Sequence, residues 1–307
     1  MGEFVKHLVP GLALTLLGLW HTIKTVRAYC LKGPSKFTAR FWYPFDCTVS
    51  VLKHLELVFI LFFSLIAIFM QVLDLPFLRL AFRLDDFEHA SMFLHLATFA
   101  GFTLAAELTN SSGLLYGVSG VLAASVFSQE LFWLHFHSTD HVGLEGHYHW
   151  LLQLIVLVSL MAAVAATSFP TSFPAALVLP ISVAFQGCWF MNMGFMLWVP
   201  ELVPKGCFTQ LAEGSSSRIH GAVTCESAEA DLRARALANL QFSWTLAGIL
   251  TFTGFTCLKF SRKCTSGGQC TEYEQLHIRN ADVPINADSF KRADPRITLH
   301  YMALDLL

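Results

Sequence analysis

Charged side chains are scarce in this sequence. Asp, Glu, Lys and Arg make up 14% of its 307 residues, while hydrophobic residues make up 54%. Because soluble domains carry about a quarter charged residues, this scarcity argues against a soluble protein and indicates one embedded in a lipid bilayer. The formal net charge is −2, and a charge so close to zero gives no reason to expect nucleic-acid binding.

The motifs of common cofactor and metal sites are also missing. The eight cysteines include no CxxC pair, which argues against a zinc finger or a disulfide-dense scaffold. The sequence has no GxGxxG after a predicted strand, no P-loop, no GxSxG and no HExxH. Nucleotide binding, serine-hydrolase chemistry and zincin-type metal chemistry are therefore not predicted.

Long apolar runs, by contrast, recur along the chain. Each is close to the roughly 20 residues that a helix needs to cross a hydrocarbon core of about 30 Å. Seven segments are predicted to span the membrane: 8–29, 49–73, 87–108, 113–134, 149–169, 173–200 and 236–260. The predicted fold class is all-α, a polytopic bundle of seven transmembrane helices. It occupies residues 1–262, and the polar residues 263–307 are predicted to form a flexible cytosolic tail.

The distribution of lysine and arginine predicts the orientation of the bundle, because short cytosolic loops are enriched in these residues. One side carries Arg27, Lys32, Lys36, Arg40, Lys259, Arg262 and Lys263. The opposite side carries Lys6, Arg79, Arg83, Lys205, Arg218, Arg233 and Arg235, several of them in a longer loop that weighs less. We therefore predict an extracytosolic N-terminus and a cytosolic C-terminus.

Histidines are concentrated between the fourth and fifth predicted segments. Residues 135–149 hold five of the thirteen histidines of the chain: His135, His137, His141, His147 and His149. Imidazole is a common metal ligand, and three imidazoles that leave one coordination position open form a catalytic zinc site. The sequence therefore predicts a divalent transition-metal site at the extracytosolic end of the bundle, with zinc as the first candidate.

The predicted ligands come from three helices. They are His95 of the third segment together with His135, His137 and His149, and His141 and His147 are weaker candidates. Glu130, at the end of the fourth segment, is predicted to orient a ligating imidazole or to act as a general base. Two other interpretations stay open: a haem held by two opposed histidines, and a solvated histidine loop that senses pH.

Other polar residues lie close to the predicted helix ends. His21 ends the first segment, and His54 and Glu56 lie near the start of the second. Side chains in such positions can snorkel toward the membrane surface, so no special role is predicted for them.

The polar loop of residues 201–235 contains Cys207 and Cys225. On the predicted topology this loop is extracytosolic, where an oxidising compartment permits disulfides. We therefore predict a disulfide between these two cysteines.

Several motifs together resemble the transmembrane protein 45 family, also known as domain of unknown function 716. They are His7-x-x-Pro10-Gly11, Gly18-Leu19-Trp20, Glu56, His95, His135-x-His137, His149 before Leu151-Leu152, and Phe185-Gln186-Gly187-x-Trp189-Phe190-x-x-Gly194-Phe195. The resemblance covers roughly residues 1–262. It implies a seven-helix protein of the secretory pathway or plasma membrane, without an established activity. Some members carry a Trp-His pair in the last helix, where this chain has Ser243-Trp244, so no ligand from that helix is expected.

Three classes of function fit these observations. The first is a membrane-embedded metalloprotein that acts on a lipid-like substrate. The second is a proton- or ion-coupled transporter or channel, in which the same polar residues form a relay. The third is a non-catalytic membrane scaffold. The sequence predicts a lipid bilayer as the partner and makes no prediction about oligomeric state.

Overall fold

A computed structural model describes residues 2–45, 50–73, 84–109, 111–138, 143–209 and 223–281. The chain forms two compact units, Met1–Arg262 and Lys263–Leu307. In the second unit only the helical backbone of residues 263–281 is described. The flexibility predicted for the tail stays a prediction.

The regular secondary structure described in the first unit is helical apart from one small hairpin. Its helices are α1 (Gly2–Lys32), α2 (Ser50–Lys53), α3 (Leu55–Leu73), α4 (Leu84–Leu108), α5 (Ser112–Ser138), α6 (Leu144–Ser168), α7 (Phe173–Trp198) and α8 (Ala228–Ala281), of which residues 228–262 belong to this unit. A 3₁₀ helix (Pro200–Leu202) and the strands β1 (Cys207–Thr209) and β2 (Val223–Cys225) lie between α7 and α8. The all-helical class is confirmed.

Four helices are long and apolar enough to cross a membrane by length and composition. The candidate spans are Glu88–Leu108, Leu115–Phe136, Leu144–Ser168 and Phe173–Trp198, and Leu55–Gln71 is a shorter apolar helix. These candidate spans indicate a membrane-embedded protein. A count of seven spans stays a prediction, although every predicted segment contains a long helix.

Local signals explain several helix ends. α1 ends before Gly33, whose φ of 74° lies in the left-handed region that glycine adopts without strain. α7 begins after Ser172, whose hydroxyl accepts a hydrogen bond from the backbone N–H of Ala175. Pro174 lies in the first turn of α7, where its missing N–H costs nothing.

The helices pack in the order α3, α4, α5, α6, α7, α1. The contact between α1 and α7 is the closest, because glycines remove the side chains from it. A Cβ atom added to Gly18 would lie 2.3 Å from the backbone nitrogen of Ala184, and one added to Gly187 would lie 2.3 Å from that of Thr15. α1 also reaches α3, because Trp20 and His21 both hydrogen-bond Glu56.

α8 packs on α6 and α7 through aromatic and small residues. The Phe242 ring lies 4.7 Å from that of Phe185 and 5.3 Å from that of Trp189, measured between centroids. Ala234 and Ala238 are fully buried in the same cluster. The opposite side of α8 carries exposed apolar side chains such as Trp244, which is 73% exposed. Such a surface suits contact with lipid.

We name the two ends of the bundle by what they carry. The histidine end holds residues 135–149, the C-terminus of α7 and the hairpin. The hairpin is closed by a disulfide between Cys207 and Cys225, which are directly opposite each other on β1 and β2. The cap end holds residues 34–45, a non-helical segment between α1 and α2 that we call the cap.

Candidate functional site

The position of His95 follows from the pairing of α4 with α5. His95 Nδ1 lies 3.3 Å from Ser125 Oγ, and Thr103 Oγ1 donates to Ser119 Oγ at 3.3 Å. His95 is therefore level with Ser125, ten residues before His135 on the same helix. At 1.5 Å per residue this separation is about 15 Å along the bundle. The structure does not bring His95 to the level of the clustered histidines.

His149 is buried in the first turns of α6, with 7% of its surface exposed. Its Nδ1 lies 3.0 Å from the backbone carbonyl oxygen of Glu145. A carbonyl oxygen can only accept, so Nδ1 carries the proton and Nε2 presents a lone pair when the ring is neutral. This is the tautomer that an imidazole needs to bind a metal or a proton through Nε2.

The other clustered histidines differ in their surroundings. His147 is half-buried and turns toward α8, with its Nε2 atom 2.9 Å from Asn239 Oδ1 and its ring stacked on Trp150. His135 is exposed near the end of α5. The side chain of His137 and the whole of His141 lie outside the described residues. Among the described residues, no three His, Cys, Asp or Glu side chains are close enough to hold a metal ion.

Glu130 lies on α5 within the candidate span and faces α7. Its carboxylate accepts a hydrogen bond from Nε2 of Gln186. Gln186 is only 1% exposed, and its Oε1 atom has no hydrogen-bond partner among the described residues. The two residues thus form a partly buried acid–amide pair between α5 and α7, in which Gln186 is buried and Glu130 is half-buried.

A second buried polar group joins α6, α7 and α8. Oε1 of Gln241 accepts from the hydroxyl of Tyr148 at 2.8 Å and from Nδ2 of Asn192 at 3.1 Å. Trp189 contacts the backbone of Tyr148, because its Nε1 donates to the Tyr148 carbonyl at 3.1 Å. The partners of Asn192 and Gln241 are found only in the folded chain.

Glu56 at the cap end is a site that sequence reasoning missed. Its carboxylate is 5% exposed and lies 2.7 Å from Nε2 of His21. It also accepts from Trp20 Nε1 and from the backbone N–H of Tyr43, each at 3.2 Å. The snorkelling explanation is therefore wrong for Glu56 and for His21, whose side chain is only 14% exposed. The aromatic run of residues 41–43 was the available signal.

The cap is held by several further contacts. The backbone N–H of Ala39 donates to the Pro170 carbonyl at 2.7 Å, and Trp42 Nε1 donates to Glu107 Oε1 at 3.2 Å. The Tyr43 hydroxyl lies 2.9 Å from Thr25 Oγ1. Burial raises the pKa of Tyr43 above its ordinary value, because the phenolate would lose its hydration. The cap therefore joins α1, α3, α4 and the α6–α7 turn.

Comparison with known families gives a match to the part of the chain from α5 to α8, which includes the histidine end. Residues 116–258 match a family of unknown function, DUF716. The match takes in Glu130, Gln186 and Gln241, together with the disulfide and all five clustered histidines. DUF716 is the domain on which the transmembrane protein 45 family is built. Over residues 116–258 the chain is therefore similar to the transmembrane protein 45 family.

Proposed function

We propose that the protein is a proton- or ion-coupled membrane protein in which Glu130 takes up and releases the proton or small cation. The observation that carries the proposal is the pairing of Glu130 with Gln186. A carboxylate inside a membrane span is costly, and it normally neutralises itself by binding a cation or a proton. In the described part of the chain, the partner of Glu130 is a neutral amide, which leaves this role to a mobile ion.

Gln186 suits a group that changes its protonation state. With Glu130 ionised, the amide N–H donates to the carboxylate, as it does in the structure. With Glu130 protonated, the carboxyl O–H can donate to the amide oxygen after the amide turns over, because glutamine offers both a donor and an acceptor. A leucine of similar size would serve neither state.

Proton movement can be measured directly in proteoliposomes. A potassium diffusion potential would drive protons, and an internal pH-sensitive dye would report them. We expect wild-type protein to give a proton flux, Glu130→Gln to abolish it, and Gln186→Leu to reduce it. Glu201→Gln is the matched control, because Glu201 is an exposed carboxylate in the 3₁₀ helix outside the spans. An equal flux in Glu130→Gln and wild type would contradict the proposal.

Infrared spectroscopy tests the same proposal without transport. The difference spectrum between acid and alkaline samples should contain a protonated-carboxyl band that Glu130→Gln removes. Gln186→Leu should shift this band, because the amide is its hydrogen-bond partner. If the band persists in Glu130→Gln, another carboxyl group changes its protonation and Glu130 does not.

A metal site at the histidine end is the second candidate, and the tautomer of His149 favours it. The ligands would be His135, His137 and His149, with His141 or His147 in support, and zinc would fit three imidazoles with one open position. With that position open, the site would act on a lipid-like substrate. His95 is left out because about 15 Å along the bundle separates it from His135.

Elemental analysis of protein purified without chelator tests the metal site. His149→Ala should lower the bound metal about as much as removing all three ligands does, because the ligands act as a unit. His147→Ala should lower it less. His220→Ala is the control, because His220 is distant in sequence from the clustered histidines. An absorption spectrum of the same sample would reveal haem. Metal-free wild-type protein would end this second candidate.

A further inference from the structure

The cap sorts its side chains between two faces. From Lys36 to Phe41 the residues alternate strictly between exposed and buried. Phe37 and Ala39 are 1% and 2% exposed, and Phe41 is 8% exposed. Lys36, Thr38 and Arg40 lie on the outer face. The backbone is therefore extended along the end of the bundle, with apolar groups inside and polar groups outside.

Charges at this end are separated by sign. The exposed cations of α1, the cap and α2 are Arg27, Lys32, Lys36, Arg40 and Lys53. In the described residues at this end, the carboxylates are Glu56 and Glu107. Both accept N–H groups of the cap, from Tyr43 and Trp42 respectively. The carboxylates are thus engaged in holding the cap, and its outer surface is cationic.

The position of these cations matches that of lipid headgroups. The cap lies where the candidate spans end or begin, at Leu108, Leu115, Ser168 and Phe173. If these helices span the membrane, each of these ends lies near the boundary between hydrocarbon and water. Clusters of four to eight lysines and arginines directly beside a membrane span attract anionic lipids by about 1 kcal/mol for each cation.

We propose that the outer face of the cap binds anionic lipid headgroups of the adjacent leaflet, and phosphorylated inositol lipids best. Two cations on the cap and three beside it on α1 and α2 favour a headgroup with several negative charges over one with a single charge. The aromatic side chains beneath keep the segment in place, so the cations are held at the membrane surface before the lipid arrives. This inference does not depend on the role proposed for Glu130.

The test is lipid binding to the purified full-length protein. Fluorescent phosphatidylinositol bisphosphate would be titrated into detergent-solubilised protein, with phosphatidylcholine as the neutral comparison. The variant Lys36→Gln/Arg40→Gln/Lys53→Gln should bind the inositol lipid on the order of a hundredfold more weakly, since each cation contributes about fivefold. The charge-retaining variant Lys36→Arg/Arg40→Lys/Lys53→Arg should stay close to wild type.

The matched control removes three exposed cations elsewhere, in Lys6→Gln/Lys205→Gln/Arg233→Gln. It has the same net charge as the cap variant and should bind like wild type. Equal weakening in the two triple variants would overturn the proposal, because net charge alone would then explain the binding. Wild type that binds phosphatidylcholine equally well would also overturn it. So would tighter binding of soluble inositol trisphosphate than of the lipid, which would indicate a free-phosphate site.

Discussion

The two ends of the bundle treat buried polar groups in opposite ways. At the cap end, the buried Glu56 accepts three hydrogen bonds and the half-buried Glu107 accepts one, so both carboxylates have fixed partners. Toward the histidine end, the buried Oε1 of Gln186 and the indole N–H groups of Trp133 and Trp198 have no partner among the described residues. Satisfied networks rigidify a structure, and incompletely satisfied ones are expected where a protein binds or moves something. We infer that the buried polar groups at the cap end stabilise the bundle, whereas those toward the histidine end are placed to bind or move an ion.

The largest expected effect is at Glu56. Glu56→Ala would leave three donors at the cap end without their acceptor, and loss of one partner of a buried charge pair costs about 3–5 kcal/mol. Thermal unfolding in detergent would measure the loss. Glu56→Gln keeps one acceptor oxygen and should cost less. If Glu56→Ala unfolds at the wild-type temperature, the cap end is not the stable end.

The disulfide at the histidine end should act only locally. Closing a loop of this size contributes about 3 kcal/mol in the chain-entropy model, and its two cysteines are 18 residues apart. The hairpin lies outside the candidate spans, so Cys207→Ser/Cys225→Ser should speed proteolysis of the loop and leave the unfolding temperature of the bundle nearly unchanged. A large fall in that temperature would mean that the hairpin supports the bundle.

Two tryptophans sharpen the comparison because the same substitution should have different effects. Trp42→Phe removes a hydrogen bond to a carboxylate and should cost about 1.5–3 kcal/mol beyond the lost ring area. Trp198→Phe removes an N–H group that has no partner in the described structure. Its cost in stability should therefore come only from the smaller buried ring area. The two unfolding temperatures would be compared side by side. Equal losses would contradict the contrast between the ends.

The smallest expected effect is the dependence of the folding stability on pH at Tyr43. Burial raises the pKa of Tyr43, whereas the pKa of an unfolded tyrosine is about 10. The folded protein therefore keeps the Tyr43 proton to a higher pH than the unfolded chain does. This contribution to the free energy of unfolding is present below about pH 10, and it is lost as the pH rises through the pKa of folded Tyr43. Denaturant unfolding would measure the loss of stability between about pH 9 and about pH 11, which should be smaller in Tyr43→Phe than in wild type. An identical loss would mean that other groups are responsible.

Much of the architecture follows from the sequence, because helix formation in apolar surroundings depends on long local runs of residues. The cysteine pair could be predicted because both residues lie in one loop. The level of His95 could not be predicted, because only the contact with Ser125 fixes the position of α4 against α5.

The partners of Glu56 could not be predicted for a similar reason. Trp20 and Tyr43 are distant from it in sequence, and they meet it only because the cap folds back across the end of α1. Likewise, nothing in the local sequence of Glu130 indicates that Gln186, two helices later on α7, is its neighbour.

The glycine contact between α1 and α7 has a consequence for biosynthesis. α1 is complete at Lys32, but its partner helix ends only at Trp198. At about 5–20 residues per second, roughly 10–30 s of translation separate the two. During that time the groove at Gly11 and Gly18 has no α7 to fill it. We expect a nascent chain that stops before Phe173 to expose this groove in the membrane, where insertion machinery or membrane chaperones would cover it.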